Sequence, residues 1–242
     1  MTSSKADLLR RLHVPGTPLV LANAWDAASA RAVQEAGFPA VATASAAVAP
    51  VLGYADGEET PVAEMLAAVA RIARAVEVPV TADMERGYGL EPAEFAERLL
   101  ATGAVGCNLE DLGPGGLRDP HEQASYLSAV RAAAGQDLVI NARVDTFLPE
   151  GGTLDDALHR AALYLEAGAD CVYPILAPDP AALAKGIGGP VNVLYTKGSP
   201  ALADLAAMGV ARVSFGHVLH EVTQSYTAGL LKRINQGEDP YM

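Results

Sequence analysis

The sequence predicts an α/β protein folded as a (β/α)8 TIM barrel, with residues 1–242 forming a single domain. Short apolar runs alternate eight times with helical runs rich in Ala, Leu, Glu and Arg. The apolar runs lack a polar face, which is typical of parallel strands that are buried on both sides. The length of 242 residues also suits such a barrel, which usually needs about 250 residues.

The elements follow in a regular order. Residues 1–13 are amphipathic and predict a leader helix that covers the floor of the barrel. The predicted strands are residues 18–25, 40–45, 79–84, 106–111, 138–145, 171–176, 191–196 and 211–216. The predicted helices are residues 26–36, 61–76, 92–102, 120–134, 153–167, 179–185, 200–208 and 217–235. Prolines near helix starts and glycines just past helix ends support these boundaries. A doubly wound sheet is the alternative, disfavoured because no GxGxxG follows the first strand.

Composition excludes several classes of function. The 17 basic and 29 acidic residues give a net charge of −12, which disfavours nucleic acid as a partner. The N-terminus lacks an apolar signal region, and no run approaches the roughly 18 apolar residues of a membrane span. We therefore expect a cytoplasmic protein with no membrane partner. Cys107 and Cys171 lie in apolar runs and predict buried thiols rather than a zinc site.

Acidic residues follow several predicted strands, where the active sites of such barrels lie. Asp56 follows the second strand, Asp83 and Glu85 end the third, and Glu110 and Asp111 end the fourth. Carboxylates placed so close together repel one another, and a divalent cation would relieve that repulsion. Oxygen ligands without histidine or cysteine select Mg²⁺ or Mn²⁺. The candidate metal ligands are Asp83, Glu85 and Glu110.

A structural interpretation stays open for some of these groups. Glu85 and Asp111 could instead cap helices or pair with Arg86 and Arg118. Arg143 lies within an apolar run, so its guanidinium must meet an anion. That anion is either a neighbouring carboxylate or a substrate carboxylate bound through two hydrogen bonds.

Five motifs together resemble the isocitrate lyase/phosphoenolpyruvate mutase superfamily over nearly the whole chain. They are NAWDAASARAVQEAGF, LGYADGE, ADMERGYG, NLED and NARVD. The resemblance implies that Asp83 ligates Mg²⁺, while Glu85 and Glu110 reach the ion through water. It places Asp56 at the rim of the pocket near the metal. It also implies that Arg143 holds the substrate carboxylate.

The resemblance also assigns the rest of the pocket. Backbone N–H groups at Ala44, Ser45 and Ala46 would bind the other end of the substrate, although Ala44 stands where serine or threonine is common in the family. His217, after the last strand, is a candidate substrate-binding residue or a helix-start residue. The candidate proton donors are Tyr54, Tyr88, Tyr195 and His217.

Departures from the family pattern narrow the expected chemistry. The Lys-Lys-Cys-Gly loop of the lyase branch is replaced by LGPGGLRDP, which also lacks the polar loop of the mutase and phosphonopyruvate hydrolase branches. The resemblance therefore implies a Mg²⁺-dependent lyase or decarboxylase that acts on a small, oxaloacetate-like 2-oxo carboxylate through a metal-stabilised enolate. The alternatives are phosphonopyruvate chemistry, carbon–carbon cleavage of a substituted malate, and a weakly catalytic 2-oxo acid binder. A Schiff-base aldolase would need a lysine at a strand end, and Lys197 is the one lysine nearby.

The last predicted helix, HVLHEVTQSYTAGLLKRI, is long for a helix that closes a barrel. Family members often exchange this helix between subunits and form tetramers from dimers. The resemblance therefore implies a homotetramer with a swapped C-terminal helix.

Overall fold

Parallel strands joined by helices build the protein, and its computed structural model describes residues 4–241. The strands are β1 (Leu19–Leu21), β2 (Asn23–Ala24), β3 (Val41–Thr43), β4 (Val80–Asp83), β5 (Gly106–Leu109), β6 (Leu112–Gly113), β7 (Gly116–Leu117), β8 (Val139–Val144), β9 (Cys171–Pro174), β10 (Asn192–Leu194) and β11 (Arg212–Ser214). The helices are α1 (Lys5–Arg11), α2 (Ala27–Glu35), α3 (Ser45–Leu52), α4 (Val62–Arg74), α5 (Pro92–Ala101), α6 (Pro120–Ala134), α7 (Leu154–Glu166), α8 (Pro180–Gly186), α9 (Leu202–Ala207) and α10 (Val218–Asn235).

The strands form a ring in chain order. One sheet runs β2-β3-β4-β5-β8-β9 and another runs β1-β11-β10, with every neighbouring pair parallel. The two sheets join because β1 and β2 are consecutive parts of one strand and because Val172 on β9 bridges to Val191, just before β10. Sequential parallel order is typical of a (β/α)8 barrel and not of a doubly wound sheet. The predicted fold class is confirmed, and one domain over residues 1–242 stays a prediction.

Each predicted strand and helix has a counterpart in the structure, and two features were not predicted. Helix α3 begins at Ser45, directly after β3, where the sequence predicted only the end of a strand. Its residues are nearly all apolar and include Pro50, so it has no amphipathic pattern to reveal it. The second feature is a small antiparallel hairpin, β6–β7, in the loop after β5.

Helix α1 covers the N-terminal end of the barrel, as predicted for the leader segment. Leu9 is fully buried and packs with Leu19, Leu21 and Val139. A Cβ at Gly106, the first residue of β5, would lie 2.8 Å from Leu9 Cδ2, so this close approach requires glycine. Residues 1–3 of the predicted leader lie outside the described residues.

His13, just after α1, makes folding stability depend on pH. Its Nδ1 lies 2.8 Å from the carbonyl oxygen of Leu9, and its buried Nε2 has no partner. Burial, reinforced by the charge of Arg212, lowers the pKa of His13 from 6.5 to about 4. Between these values the unfolded chain binds the extra proton and the folded chain does not. The free energy of unfolding therefore falls as the pH is lowered through that window.

We expect His13 to account for a loss of roughly 3 kcal/mol between about pH 6.5 and pH 4. Urea unfolding of the wild type and of His13→Gln over this range measures it. The difference in unfolding free energy between the two proteins should change with pH. A difference that stays constant would contradict the assignment.

Both cysteines are buried and unpaired, as predicted. Burial raises the pKa of Cys171 to about 12 and also raises the pKa of Cys107, so both thiols stay protonated. Within residues 4–241, no helix combines the length and apolar character needed to cross a membrane.

Candidate active site

A cavity of about 480 Å³ opens at the carboxyl ends of the barrel strands. Eight of the nine site residues predicted from the sequence line it: Ala44, Ser45, Ala46, Asp56, Asp83, Glu110, Arg143 and His217. They meet because parallel strands end at the same edge of the barrel. Glu85 is the ninth, and it does not line the cavity.

Asp83 ends β4 and presents one free carboxylate oxygen. Its side chain is nearly buried, with Asp83 only 7% exposed. Its Oδ2 accepts hydrogen bonds from the backbone N and the Oγ of Ser45, both at 3.1 Å. Its Oδ1 is buried and has no hydrogen-bond partner. An unpartnered buried carboxylate oxygen is costly in an apolar setting, and a hard cation such as Mg²⁺ would satisfy it.

The N-terminus of α3 supplies donors to the same cavity. Its N-cap, Ala44, has no side chain that could cap the helix. The Ser45 N–H binds Asp83, while the N–H of Ala46 lies in the first turn, where helices leave donors without an internal acceptor. The positive end of the helix dipole adds to these donors. An anionic oxygen fits beside them.

Arg143, on β8, is both ion-paired and at the cavity wall. Its Nη1 donates to Oε1 of Glu110, and its Nε donates to Oδ1 of Asp145 at 2.7 Å. The guanidinium carbon lies 5.7 Å from the centre of the Tyr173 ring. Nη2 has no hydrogen bond to a described protein atom and remains available to a ligand. Arg143 can therefore pair with neighbouring carboxylates and still bind a substrate carboxylate.

The cavity concentrates negative charge. Burial, with the charges of Asp83 and Asp145, raises the pKa of Glu110, and the Arg143 guanidinium opposes that rise. Partial desolvation likewise raises the pKa of Asp56, opposed by the Ser45 hydroxyl. A divalent cation at Asp83 would stabilise the ionised form of all three carboxylates.

Glu85 is directed elsewhere by its backbone and by Tyr88. Its φ is 46°, in the left-handed region, and its buried carboxylate accepts a hydrogen bond from the Tyr88 hydroxyl at 2.6 Å. Burial raises the pKa of Glu85 to about 7. Among residues 4–241, no three His, Cys, Asp or Glu side chains lie close enough to hold a metal ion. The three-carboxylate ligand set stays a prediction, and the geometry favours Asp83 as the direct ligand.

Glu85 and Asp111 do not form the expected ion pairs with Arg86 and Arg118. Arg86 pairs with Glu58, not with Glu85. Asp111 is structural, and its Oδ2 accepts from the Tyr164 hydroxyl at 2.6 Å and from Arg160 Nη1 at 3.1 Å. Arg118, the partner expected for Asp111, contacts it only through the backbone: the Arg118 N–H donates to the carbonyl oxygen of Asp111, while the Arg118 side chain donates to Gln123.

Three of the four candidate proton donors lie outside the cavity. Tyr54 donates to Glu64 at 2.8 Å, Tyr88 donates to Glu85, and Tyr195 packs against Phe215 with ring centroids 5.4 Å apart. His217 does line the cavity.

Sequence reasoning missed two residues of the site. Tyr173, on β9, lines the cavity, and burial raises its pKa to about 12, so its hydroxyl keeps its proton at neutral pH. Arg212, on β11, is a second interior arginine beneath the cavity, where its Nη2 donates to Oδ1 of Asn108 at 3.2 Å. Arg212 lies in the apolar run ARVSFG, which is the same signal that identified Arg143.

The fold and the cavity define a class: a (β/α)8-barrel protein whose ionisable groups gather at the carboxyl ends of its strands, as in barrel enzymes. A family model described as phosphoenolpyruvate phosphomutase matches residues 9–234. The chain belongs to this family, within the isocitrate lyase/phosphoenolpyruvate mutase superfamily, which confirms the resemblance seen in the motifs.

Individual relatives agree. An uncharacterized protein of Mycobacterium tuberculosis is 36% identical over 231 residues, which cover 94% of this chain and 88% of that protein. The crystal structure of a candidate phosphonomutase from Burkholderia cenocepacia has a TM-score of 0.89 and 41% identity, and the match covers 95% of this chain and 100% of that one. The 2-methylisocitrate lyase of Bacillus subtilis is 30% identical over 180 residues, covering 70% of this chain and 59% of the relative. This chain is thus similar to lyases and mutases, which makes it a member of an enzyme superfamily.

Proposed function

We propose that the protein is a Mg²⁺-dependent carbon–carbon lyase that decarboxylates a small 2-oxo carboxylate of the oxaloacetate type. The observation that carries the proposal is the buried, unpartnered Oδ1 of Asp83, a residue that lines the same cavity as Arg143. A 2-oxo acid offers paired oxygens that suit a hard cation and a carboxylate that suits a guanidinium.

Asp83 is the proposed direct ligand of Mg²⁺ or Mn²⁺. Glu110 is proposed to contact the ion through water, since Mg²⁺ usually keeps several waters. Glu85, which binds Tyr88 and does not line the cavity, contributes only its nearby negative charge. When bound, the ion supplies Lewis-acid polarisation of the 2-oxo group. Asp56, at the cavity rim, adds negative charge that favours cation binding.

The protein's own side chains and backbone would bind the substrate and supply the proton. Arg143 donates to the substrate carboxylate and, as the reaction proceeds, to the oxygen on which charge develops. The bond between C3 and C4 breaks, CO₂ leaves, and the electron pair forms an enolate on the 2-oxo oxygen. C3 then takes a proton, for which Tyr173 and His217 are the candidate donors lining the cavity. The N–H of Ala46 binds the other end of the substrate.

Phosphorus–carbon chemistry on phosphonopyruvate is the main alternative, and the cavity lining disfavours it. The negative charge on a phosphoryl group in transfer is usually balanced by several cationic groups. Arg143 and His217 are the only basic side chains among the described lining residues, and no residue of the β6–β7 hairpin reaches the cavity. Cleavage of a substituted malate would use the same Asp83 and Arg143.

The test is a coupled assay for pyruvate formed from oxaloacetate, with Mg²⁺ and with EDTA, alongside phosphonopyruvate and substituted malates followed by NMR. We expect turnover of oxaloacetate that EDTA abolishes and added Mg²⁺ restores. Turnover of phosphonopyruvate alone would favour the alternative. Binding without any turnover would identify a 2-oxo acid binder, and either outcome would overturn the proposal.

We propose that the protein is a homotetramer, built as a dimer of dimers in which α10 is exchanged between subunits. The support is one side of α10, on which Val222 and Tyr226, four residues apart, are both more than 60% exposed. An apolar groove of about 730 Å³ lies beside the start of this helix, lined by Trp25 and Phe38 among others. Exposed apolar surface of this extent is typical of interfaces between subunits.

Charge on the apolar side of α10 should break this assembly. We expect Tyr226→Glu to give smaller particles by light scattering, because the charge would be buried at the interface. Ser225→Glu lies on the side shared with Glu221 and Lys232 and serves as the matched control, with no change expected. A wild-type monomer, or a tetramer that tolerates Tyr226→Glu, would contradict the proposal.

A further inference from the structure

The cavity has two chemically different sides. On one side are the charged groups Asp83, which ends β4, Glu110, which follows β5, and Arg143 on β8, together with Asp56 after α3. The other side is formed by apolar side chains: Leu148, Ile175, Leu176, Leu194, Phe215 and Val218. Resting on the lyase function proposed above, we propose that the true substrate carries an aliphatic substituent on C3, the carbon next to its 2-oxo group, and that these side chains bind it.

The order of the strands places this apolar wall away from the metal-binding oxygen. Around the ring, β10 lies four strands from β4 in either direction. Leu194 ends β10 and Asp83 ends β4, so they face each other across the mouth of the barrel. A substituent on C3 of a substrate held at Asp83 and Arg143 can therefore reach the wall.

Among the described lining residues, the wall offers neither a lysine nor an arginine to a second carboxylate on the substrate. His217 is exposed, and its Nε2 lies 3.4 Å from Oε1 of Glu221. Lys197 lines a neighbouring cavity rather than this one. Besides the apolar groups and His217, this side contributes the hydroxyl-bearing side chains of Tyr173, Thr196 and Ser214. A carboxylate that leaves as neutral CO₂ needs no cationic partner, and an apolar setting favours its departure.

Two features mark the wall as a ligand surface. Leu148 is 39% exposed and Leu176 is 54% exposed, so apolar area at the mouth remains open to water until a ligand covers it. Leu176 also has a φ of 54°, a left-handed conformation that leucine rarely adopts. Residues with strained backbone conformations are often found at binding sites.

The test measures binding rather than turnover. Calorimetry with Mg²⁺ present compares pyruvate, 2-oxobutanoate, 2-oxopentanoate and 2-oxohexanoate, with oxalate as a probe of the metal and Arg143 alone. Each added methylene should tighten binding about fourfold until the wall is covered. A second comparison pairs 2-oxoglutarate with 5-methyl-2-oxohexanoate, which has the same shape without the second charge. The uncharged member should bind at least about tenfold more tightly.

Two substitutions in the wall test whether its side chains cause the preference for longer, uncharged 2-oxo acids. Leu176→Gly relieves the left-handed strain while removing the side chain, and Leu194→Ala shortens the wall opposite Asp83. Both variants should reduce the gain in binding affinity per added methylene and leave oxalate binding unchanged. Leu202→Ala, at the start of α9 and outside the cavity, is the matched control.

The outcomes separate this inference from the proposed function. If oxalate binds with Mg²⁺ but chain length has no effect, or 2-oxoglutarate binds more tightly than its uncharged counterpart, the aliphatic substituent is ruled out and the lyase proposal survives. If neither oxalate nor any 2-oxo acid binds, both proposals are overturned. Length dependence that disappears in Leu176→Gly and Leu194→Ala supports the inference.

Discussion

Replacing Asp83 by asparagine is expected to lower kcat/KM by roughly 10²- to 10³-fold, the cost usually seen when one electrostatic contact to the reacting oxygen is lost. The substitution removes the negative charge from the oxygen proposed to bind Mg²⁺. It should also weaken binding of the metal itself, which titration of Mn²⁺ followed by electron paramagnetic resonance would measure. Both effects share one cause, so they should appear together.

Asparagine is chosen because it preserves the local structure. Its side-chain oxygen can still accept from the N–H and hydroxyl of Ser45, which now bind Oδ2 of Asp83. We therefore expect little change in thermal stability. Glu97→Gln, which removes an exposed carboxylate on α5, is the matched control and should leave activity unchanged. An Asp83→Asn protein with normal metal affinity and normal activity would exclude Asp83 as the ligand.

Replacing Arg143 by methionine should reduce both activity and stability. The carboxylates of Glu110 and Asp145 lose their common partner, and Asp145 is fully buried. Breaking a buried ion pair by removing one partner typically costs about 3–5 kcal/mol. Loss of the guanidinium also removes the donor to the substrate, so kcat/KM should fall by at least roughly 10²-fold.

A second substitution separates the two effects. Arg143→Met/Asp145→Asn also removes the charge of the fully buried Asp145 and leaves only the partly exposed Glu110 without its partner, so much of the unfolding free energy should return. Activity should not return, because no guanidinium faces the substrate. Chemical unfolding and the pyruvate assay measure the two quantities independently. Recovery of activity in the double variant would show that Arg143 acts through the fold alone.

The sequence predicted well those features that depend on local pattern. Alternating apolar and helical runs are repeated along the chain, so the barrel could be recognised before any contact was known. Asp83 and Arg143 could be assigned to one site because strands of a barrel bring their carboxyl ends together. Helix α3 escaped prediction because burial, not amphipathic periodicity, stabilises its apolar sequence.

The direction of individual side chains depends on long-range contacts that spacing does not encode. Asp111 binds Arg160, 49 residues later, instead of the nearby Arg118 side chain. Glu85 shares a spacing of two residues with Asp83, which predicts a common face for a continuing strand. Strand β4 ends at Asp83, and the left-handed backbone at Glu85 directs that carboxylate to Tyr88 instead.

The central claim is that Asp83 holds a divalent cation beside a 2-oxo acid bound by Arg143. Crystals grown with Mn²⁺ and oxalate, a planar dianion resembling the enolate of pyruvate, test it through the anomalous signal of manganese. We expect an anomalous peak at coordination distance, about 2.0–2.3 Å, from a carboxylate oxygen of Asp83. Oxalate should lie between that peak and the Arg143 guanidinium. A peak elsewhere, or oxalate bound in the cavity without manganese, would contradict the account.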